Sequence, residues 1–238
     1  MNNNLFAEIE IMDTGDVFSP VFNDIYFSPA GGFMESLHVF AEPNKIPQRF
    51  FTQKTVSVFE SGFGTGLNFL LTMKLFLQFA PENAELVFTS FEKHPVSPAD
   101  MEKIHTFYTY LRYESIIFLN MYKDLDFSVK EHEICFSNKK IKLNLIFDDL
   151  KNCGLYDKKT GYDAWYLDGF SPGNNPGMWI DDFFEFMSLQ STEDATFSTF
   201  TAAGFIRRAL IKNGFEVKKI KGFNRKREML AGRKITTV

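Results

Sequence analysis

The chain has 238 residues, 45% hydrophobic and 24% charged, which is globular composition and length enough to bury one sizeable core. Its net charge of −4 conceals a basic end: from Thr201 onward eleven Lys or Arg stand against two Glu, a net of +9 that leaves −13 on the first 200 residues. Two cysteines exclude a disulfide framework and fit a reducing, cytoplasmic setting. The N-terminus lacks the basic-then-apolar pattern of a secretory leader, and no apolar run reaches the roughly 18 residues of a membrane span.

Residues 1–50 read as an N-terminal elaboration of short strands and turns packed on a core, and 51–238 as a single globular unit. From Thr55 strand and helix signals alternate, which argues an α/β fold with a mostly parallel sheet and helices on both faces. Residues 55–60, TVSVFE, form a β-branched strand that ends at glycines. Residues 67–80 are apolar all round and predict a buried crossover helix. A second strand covers 85–92, and Ser97-Pro98 opens a helix over 97–111. Residues 132–149 predict two strands joined at Ser137-Asn138-Lys139-Lys140. Further strands are predicted at 163–172 and 194–201, and a helix over 202–215 ends at Asn213-Gly214. An antiparallel hairpin over 216–233 turns near Gly222-Phe223-Asn224. His132 and Cys135 form a lone pair without further ligands nearby, so no metal is expected.

Three glycines, Gly62, Gly64 and Gly66, follow the first core strand and open a helix. A dinucleotide fingerprint needs its third glycine one residue later. Here the order is G-x-G-x-G, with Glu60 two residues ahead, and E/D-x-G-x-G-x-G resembles the loop of class I methyltransferases. The physical reason is charge. A pyrophosphate favours the positive end of a helix, whereas S-adenosylmethionine carries an ammonium and a sulfonium and favours a carboxylate. Glu92 ends the second strand, where an acid can accept from both ribose hydroxyls, as it also would in a nicotinamide enzyme. Asp148 and Asp149 end the third. An acid there can accept from an adenine amino group, and Asp149 is the preferred one because it lies past the apolar run. Each acid taken alone reads equally well as a surface carboxylate, but their register at successive strand ends does not.

The fourth strand delivers Asp168-Gly169-Phe170-Ser171-Pro172. Methyltransferases acting on amines often carry Asn or Asp, then prolines and an aromatic, at this place. A carboxylate here can orient an amine lone pair and accept its proton. Phe170 can shield or stack on the reacting group, and Pro172 can hold the turn. The alternative is a plain Asp-Gly turn after a strand.

With these segments placed, the chain resembles the methyltransferase domain of the bifunctional tRNA 5-methylaminomethyl-2-thiouridine biosynthesis (MnmC) family and its free-standing relatives. The matching stretches are NDIYFS (23–28), ESGFGTGLNFL (60–70), SFEKHP (90–95), DAWYLDGFSPGNNPGMW (163–179), STFTAAGFIRRAL (198–210) and GFNRKREMLAG (222–232). The resemblance implies a class I, Rossmann-like methyltransferase fold with a seven-stranded sheet. It implies methyl transfer from S-adenosyl-L-methionine to the 5-aminomethyl group of a tRNA wobble uridine. It maps Glu60 and the glycines to the cofactor, Glu92 to the ribose, Asp149 to the adenine and Asp168 to the amine. Phe170, Pro172, Met178 and Trp179 then shape the pocket, and Tyr26, Phe27 and Ser28 close over the cofactor.

One departure is Phe-Asp-Asp where the family pattern leads one to expect Phe-Gly-Asp, which keeps both Asp148 and Asp149 in play. The other is length: the bifunctional proteins continue into a flavin-dependent oxidase, for which 238 residues leave no room. The resemblance therefore implies methylation alone, with any earlier step on a separate flavin-dependent oxidase partner. The anticodon region of tRNA as partner agrees with the basic end, where Arg207, Arg208, Lys212, Arg225, Lys226 and Arg227 can meet phosphates. Taken alone, that run is more commonly a solvated helix face and hairpin. Two other readings stand beside this one: a methyltransferase of the same fold acting on a small amine or protein, and a non-catalytic tRNA- or nucleotide-binding module. A nicotinamide oxidoreductase fits the glycine spacing less well.

Overall fold

The structure, a computed structural model, describes residues 5–138, 140–156 and 161–235. Its centre is an eight-stranded sheet. The parallel strands are β4 (Thr55–Glu60), β5 (Glu85–Phe91), β7 (Ile141–Ile146), β8 (Tyr162–Tyr166) and β9 (Ser191–Thr199). At one edge β6 (Glu131–Phe136) runs antiparallel to β7; at the other, β10 (Phe215–Lys221) and β11 (Glu228–Lys234) form an antiparallel hairpin beside β9. The order is β10-β11-β9-β8-β4-β5-β7-β6. The count exceeds the expected seven because β6 folds back on β7; Lys139 of the turn between them lies outside the described residues.

β4 is central because five of its six residues are buried, as a strand covered on both faces requires. The chain moves outward from β4 through β5 and β7, then returns to the other side of β4 at β8. That reversal opens a crevice above the carboxyl ends of β8 and β4. Glu60, Glu92, Asp148, Asp149 and Asp168 all lie at the ends of neighbouring strands on this one edge.

The helices depart from the sequence reading where tertiary contacts intervene. α3 (Leu67–Phe79) forms as expected, entered through Gly66 at φ 75°. The helix expected over 97–111 stops early. α4 (Pro98–His105) is capped by Ser97, whose hydroxyl accepts from the Asp100 N–H at 3.1 Å. The chain then bends so that the His105 ring and the Tyr108 hydroxyl both reach Thr65, in the glycine loop. α5 (Arg112–Tyr122) and α6 (Asp181–Gln190) have no side-chain cap at their starts, which hides them from a cap-based reading. α7 (Gly204–Lys212) ends at Asn213-Gly214, with Gly214 at φ 82°.

The N-terminal segment holds an antiparallel sheet, β1 (Glu10–Ile11), β2 (Val17–Ser19) and β3 (Asp24–Phe27), and also two short helices that a reading as strands and turns leaves out. α1 (Gly32–Ser36) runs on into a π-turn at Leu37–Ala41, and α2 is Arg49–Thr52. At the first residue of α1, Gly32, a Cβ would sit 2.6 Å from the Phe27 ring, so the close packing of α1 on β3 needs glycine there. The segment is fastened to the sheet through Asn44, fully buried, whose amide donates to Ser198 Oγ at 2.8 Å and accepts from Thr196 Oγ1 at 2.7 Å. Among the described residues, no helix is long and apolar enough to cross a membrane, and no group of three or more His, Cys, Asp or Glu could hold a metal ion.

Candidate active site

The crevice contains a cleft of about 170 Å³, open at its mouth. Its floor is the glycine loop, its sides are the ends of β5, β7 and β8, and its roof is the turn between β2 and β3. Gly62 and Gly64 line it. A Cβ at Gly62 would come within 3.2 Å of the Asp168 carbonyl, so a larger residue would press the two strand ends apart by a few tenths of an ångström. Gly66 does not line the cleft; it turns the chain into α3.

Asp168 lines the cleft between Gly62 and Met178. Its Oδ1 accepts from the Gly169 N–H at 2.8 Å and its Oδ2 from Asn68 Nδ2 at 2.7 Å. Burial raises its pKa to about 6 against the lowering effect of those two bonds, so the carboxyl remains ionised at neutral pH yet is a stronger base than an exposed aspartate. Glu35 and Lys226, an ion pair at 2.9 Å, act on it with opposite signs.

Glu92 also lines the cleft. Its two oxygens accept backbone N–H groups from Gly64 at 2.8 Å and His94 at 2.9 Å, and burial raises its pKa to about 7. The loop N–H that would cradle a phosphate is thus already held by a carboxylate. With Asp149 and Asp168 on the same cleft, this set of acceptors suits a cationic nucleoside better than a pyrophosphate.

The two aspartates after β7 separate by their partners. Asp148 receives Lys130 Nζ (2.9 Å), Tyr156 OH (2.6 Å), Asn152 Nδ2 (3.0 Å) and the Asp149 N–H (2.8 Å). Burial alone would raise its pKa, but these four bonds overcome it and hold the group well below the ordinary value. Its acceptor sites are consumed in fixing the 3-10 turn Leu150–Tyr156. Asp149 accepts from the Lys151 N–H on Oδ1 at 3.1 Å, and its Oδ2 meets the exposed side chains of Lys93 at 3.0 Å and Lys151 at 3.8 Å, partners that can swing aside.

The roof is aromatic. Phe170 stacks on Phe22 (centroids 4.4 Å apart) and meets Tyr26 edge-on at 4.7 Å. The β2–β3 turn is tied to the loop after β8 by the Ser171 N–H donating to Asp24 Oδ2 at 2.9 Å. Burial, with the Glu92 charge, pushes the Tyr26 phenol above its ordinary pKa.

Several residues expected at the cleft lie elsewhere. Glu60 does not line it: 1% exposed, it sits beneath the loop and accepts from Asn68 Nδ2 (2.9 Å) and Ser90 Oγ (2.6 Å). Burial and the nearby Asp168 charge raise its pKa well above the ordinary value. Phe27 follows Tyr26 on a strand and so points the other way, into the core against Tyr108. Ser28 bonds Asp16, and its carbonyl accepts from Gly31 and Gly32. Pro172 lies past the cleft, and Trp179, 6% exposed, braces the loop by donating to the Phe170 carbonyl at 3.4 Å. Met178 does line the cleft.

On the acceptor side, the turn between β10 and β11 sits at the cleft end of the sheet, because β11 is antiparallel to β9 with Leu230 opposite Thr199. Arg225 and Arg227 are exposed there, and Arg207 and Arg208 are exposed on α7. Lys226 and Lys212 are engaged instead with Glu35 and Asp181, at 2.9 and 3.0 Å. The residues that sequence reasoning missed are Asn68, Phe22, Lys93, His94 and the Glu35–Lys226 pair. Only Asn68 left a signal: a polar residue in the first turn of a mostly apolar helix.

Comparison with known proteins gives concordant matches. A family model described as S-adenosyl-L-methionine-dependent methyltransferase matches residues 116–235. The tRNA 5-methylaminomethyl-2-thiouridine biosynthesis bifunctional protein MnmC of Idiomarina loihiensis is 41% identical, the match covering 98% of this chain and 39% of that protein. The MnmC protein of Vibrio campbellii is also 41% identical, over 95% of this chain and 35% of its own length. The chain thus spans well under half the length of these curated relatives. Among solved structures, MNMC2 from Aquifex aeolicus superposes with a TM-score of 0.71 over 98% of this chain and 72% of its own, at 20% identity, which shows a shared fold.

Proposed function

The chain belongs to the S-adenosyl-L-methionine-dependent methyltransferase family, and on that premise we propose that it N-methylates the 5-aminomethyl group of the wobble uridine in tRNA, giving 5-methylaminomethyl-2-thiouridine where the base is thiolated. The observation that carries this reading is Asp168. It is an ionised carboxylate of raised basicity at the cleft end of β8, held by Asn68 and the Gly169 N–H and walled by the Phe170–Phe22 stack.

The residues of the cleft divide the work. Glu92 is placed to accept from ribose hydroxyls with the lone pairs left after binding Gly64 and His94. Asp149 is the acid available to an adenine amino group once Lys93 moves; Asp148 is spent on its own turn. S-adenosyl-L-methionine, when bound, would supply a sulfonium-activated methyl group, its S–CH3 bond breaking as the N–CH3 bond forms and leaving a neutral thioether. Asp168 takes a proton from the substrate ammonium, freeing the nitrogen lone pair that forms the new N–CH3 bond. It then faces the secondary ammonium that results. Phe22, Tyr26 and Phe170 exclude water from that side. The support for tRNA as acceptor is the similarity to the MnmC proteins together with the exposed Arg207 and Arg208 of α7 and Arg225 and Arg227 of the β10–β11 turn. A cytoplasmic site of action and a separate flavin-dependent oxidase that prepares the amine belong to the same proposal.

The test is transfer of labelled methyl from S-adenosyl-L-methionine to tRNA carrying 5-aminomethyluridine, run beside small free amines. Label in tRNA that disappears with Asp168→Ala supports the reading; label in small amines alone overturns it.

A further inference from the structure

Asn68 stands between two carboxylates. Its amide nitrogen donates one hydrogen to Glu60 Oε1 at 2.9 Å and the other to Asp168 Oδ2 at 2.7 Å. Its amide oxygen accepts from the hydroxyl of Ser36, the last residue of α1. Asn68 is 4% exposed and Ser36 3%. All three polar positions of the amide are therefore filled, and its orientation is fixed: a flipped amide would turn its oxygen toward both carboxylates and its nitrogen toward a hydroxyl.

We propose that Asn68 is a positioning residue for methyl transfer, holding the Asp168 carboxylate aimed into the cleft as a proton acceptor, and that Ser36 makes α1 part of that apparatus. The proposal rests on the reading of Asp168 given above. Without the amide, Glu60 and Asp168, which already act on one another, would lose the donor they share, and neighbouring carboxylates tend to share a proton. The amide's two donors favour the ionised form of each. The other charges near Asp168 are Glu35 on α1 and Lys226 on the β10–β11 turn, which pair with one another; the neutral donors that favour its ionised form are the Gly169 N–H on Oδ1 and the Asn68 amide on Oδ2, and of these only Asn68 is a side chain.

The test compares wild type, Asn68→Ala and Ser36→Ala. Asn68→Ala is expected to lower kcat about tenfold to hundredfold while S-adenosyl-L-methionine affinity by calorimetry stays within about threefold, as for a misaligned but intact site. The acid limb of its kcat/KM profile is expected to move up by about one pH unit, the direction set by losing a donor to the charged form. Ser36→Ala is expected to move the limb in the same direction by less. A second readout needs no turnover: carbon-13 NMR of labelled aspartate carboxyls in the protein without cofactor, the Asp168 signal identified by its absence in Asp168→Asn. Its titration midpoint is expected to rise in both variants. An unchanged midpoint and limb in Asn68→Ala overturn the inference, and if that variant does not fold, an unchanged midpoint in Ser36→Ala does so. Absence of tRNA methylation by wild type would overturn the functional reading alone, because the NMR titration still decides the role of Asn68.

Discussion

The carboxylate of Glu92 accepts the backbone N–H of Gly64 at 2.8 Å, joining the end of β5 to the glycine loop after β4. A loop donor that a phosphate would use is held by a carboxyl group before any ligand arrives. That relationship separates this cleft from a dinucleotide site more firmly than the spacing of the glycines.

Glu92→Ala removes the proposed ribose acceptor and releases both the Gly64 and His94 N–H groups. Hydrogen bonds to a charged group contribute about 1.5–3 kcal/mol each. Calorimetry is expected to show S-adenosyl-L-methionine affinity weakened about tenfold to hundredfold, with the fold retained by circular dichroism. Unaltered affinity would remove Glu92 from the cofactor site.

Asp148 and Asp149 are expected to differ in kind. Asp148→Ala strips four donors of their acceptor and should destabilise the protein by about 1–3 kcal/mol, read as a lower Tm. Asp149→Ala should leave Tm within about 2 °C, a surface-sized effect, and weaken cofactor binding. The reverse pattern would exchange their roles.

Much of this site was legible because its signals are local. Glycines between a strand and a helix, and acids at strand ends, are marked by position alone, and Glu92, Asp149 and Asp168 come together on one edge as that register requires. Glu60 was misplaced because the same register cannot say whether a strand-end acid points up into the cleft or down under the loop; Ser90 and Asn68, 30 and 8 residues away, decide it. Phe27 and Ser28 were misplaced because a motif moves as a block on the page, while a strand sends alternate side chains to opposite faces. The helix over 97–111 was too long because Tyr108 answers to Thr65, 43 residues earlier, and not to its own neighbours. The roof built from Phe22 and Phe170 joins residues 148 apart in sequence, and no periodicity announces such a pair.

The pH dependence follows from Asp168. Its pKa is raised to about 6 by burial, and the ionised form is the one that accepts a proton. Activity is therefore expected to fall as pH drops through about 6, with kcat/KM losing about tenfold per unit below it. Asp168→Asn should cost about 10²- to 10⁴-fold in kcat, the range for a general base, and erase this limb. A limb that persists in Asp168→Asn would assign the titration to another group.

The basic rim makes a separate prediction. Replacing Arg225 and Arg227 together by glutamate should weaken tRNA binding and make its dependence on salt shallower, because fewer counterions are released. Cofactor affinity should be unchanged, since neither residue lines the cleft. Equal loss of cofactor binding would mean that the turn shapes the cleft itself.

The central claim, methylation of an aminomethyl group on the tRNA wobble uridine, is tested most directly by mass spectrometry of tRNA nucleosides from cells lacking this protein. The account predicts loss of the methylaminomethyl nucleoside and accumulation of its unmethylated aminomethyl precursor, reversed by the wild-type gene and not by Asp168→Ala. An unchanged nucleoside profile in those cells would contradict it.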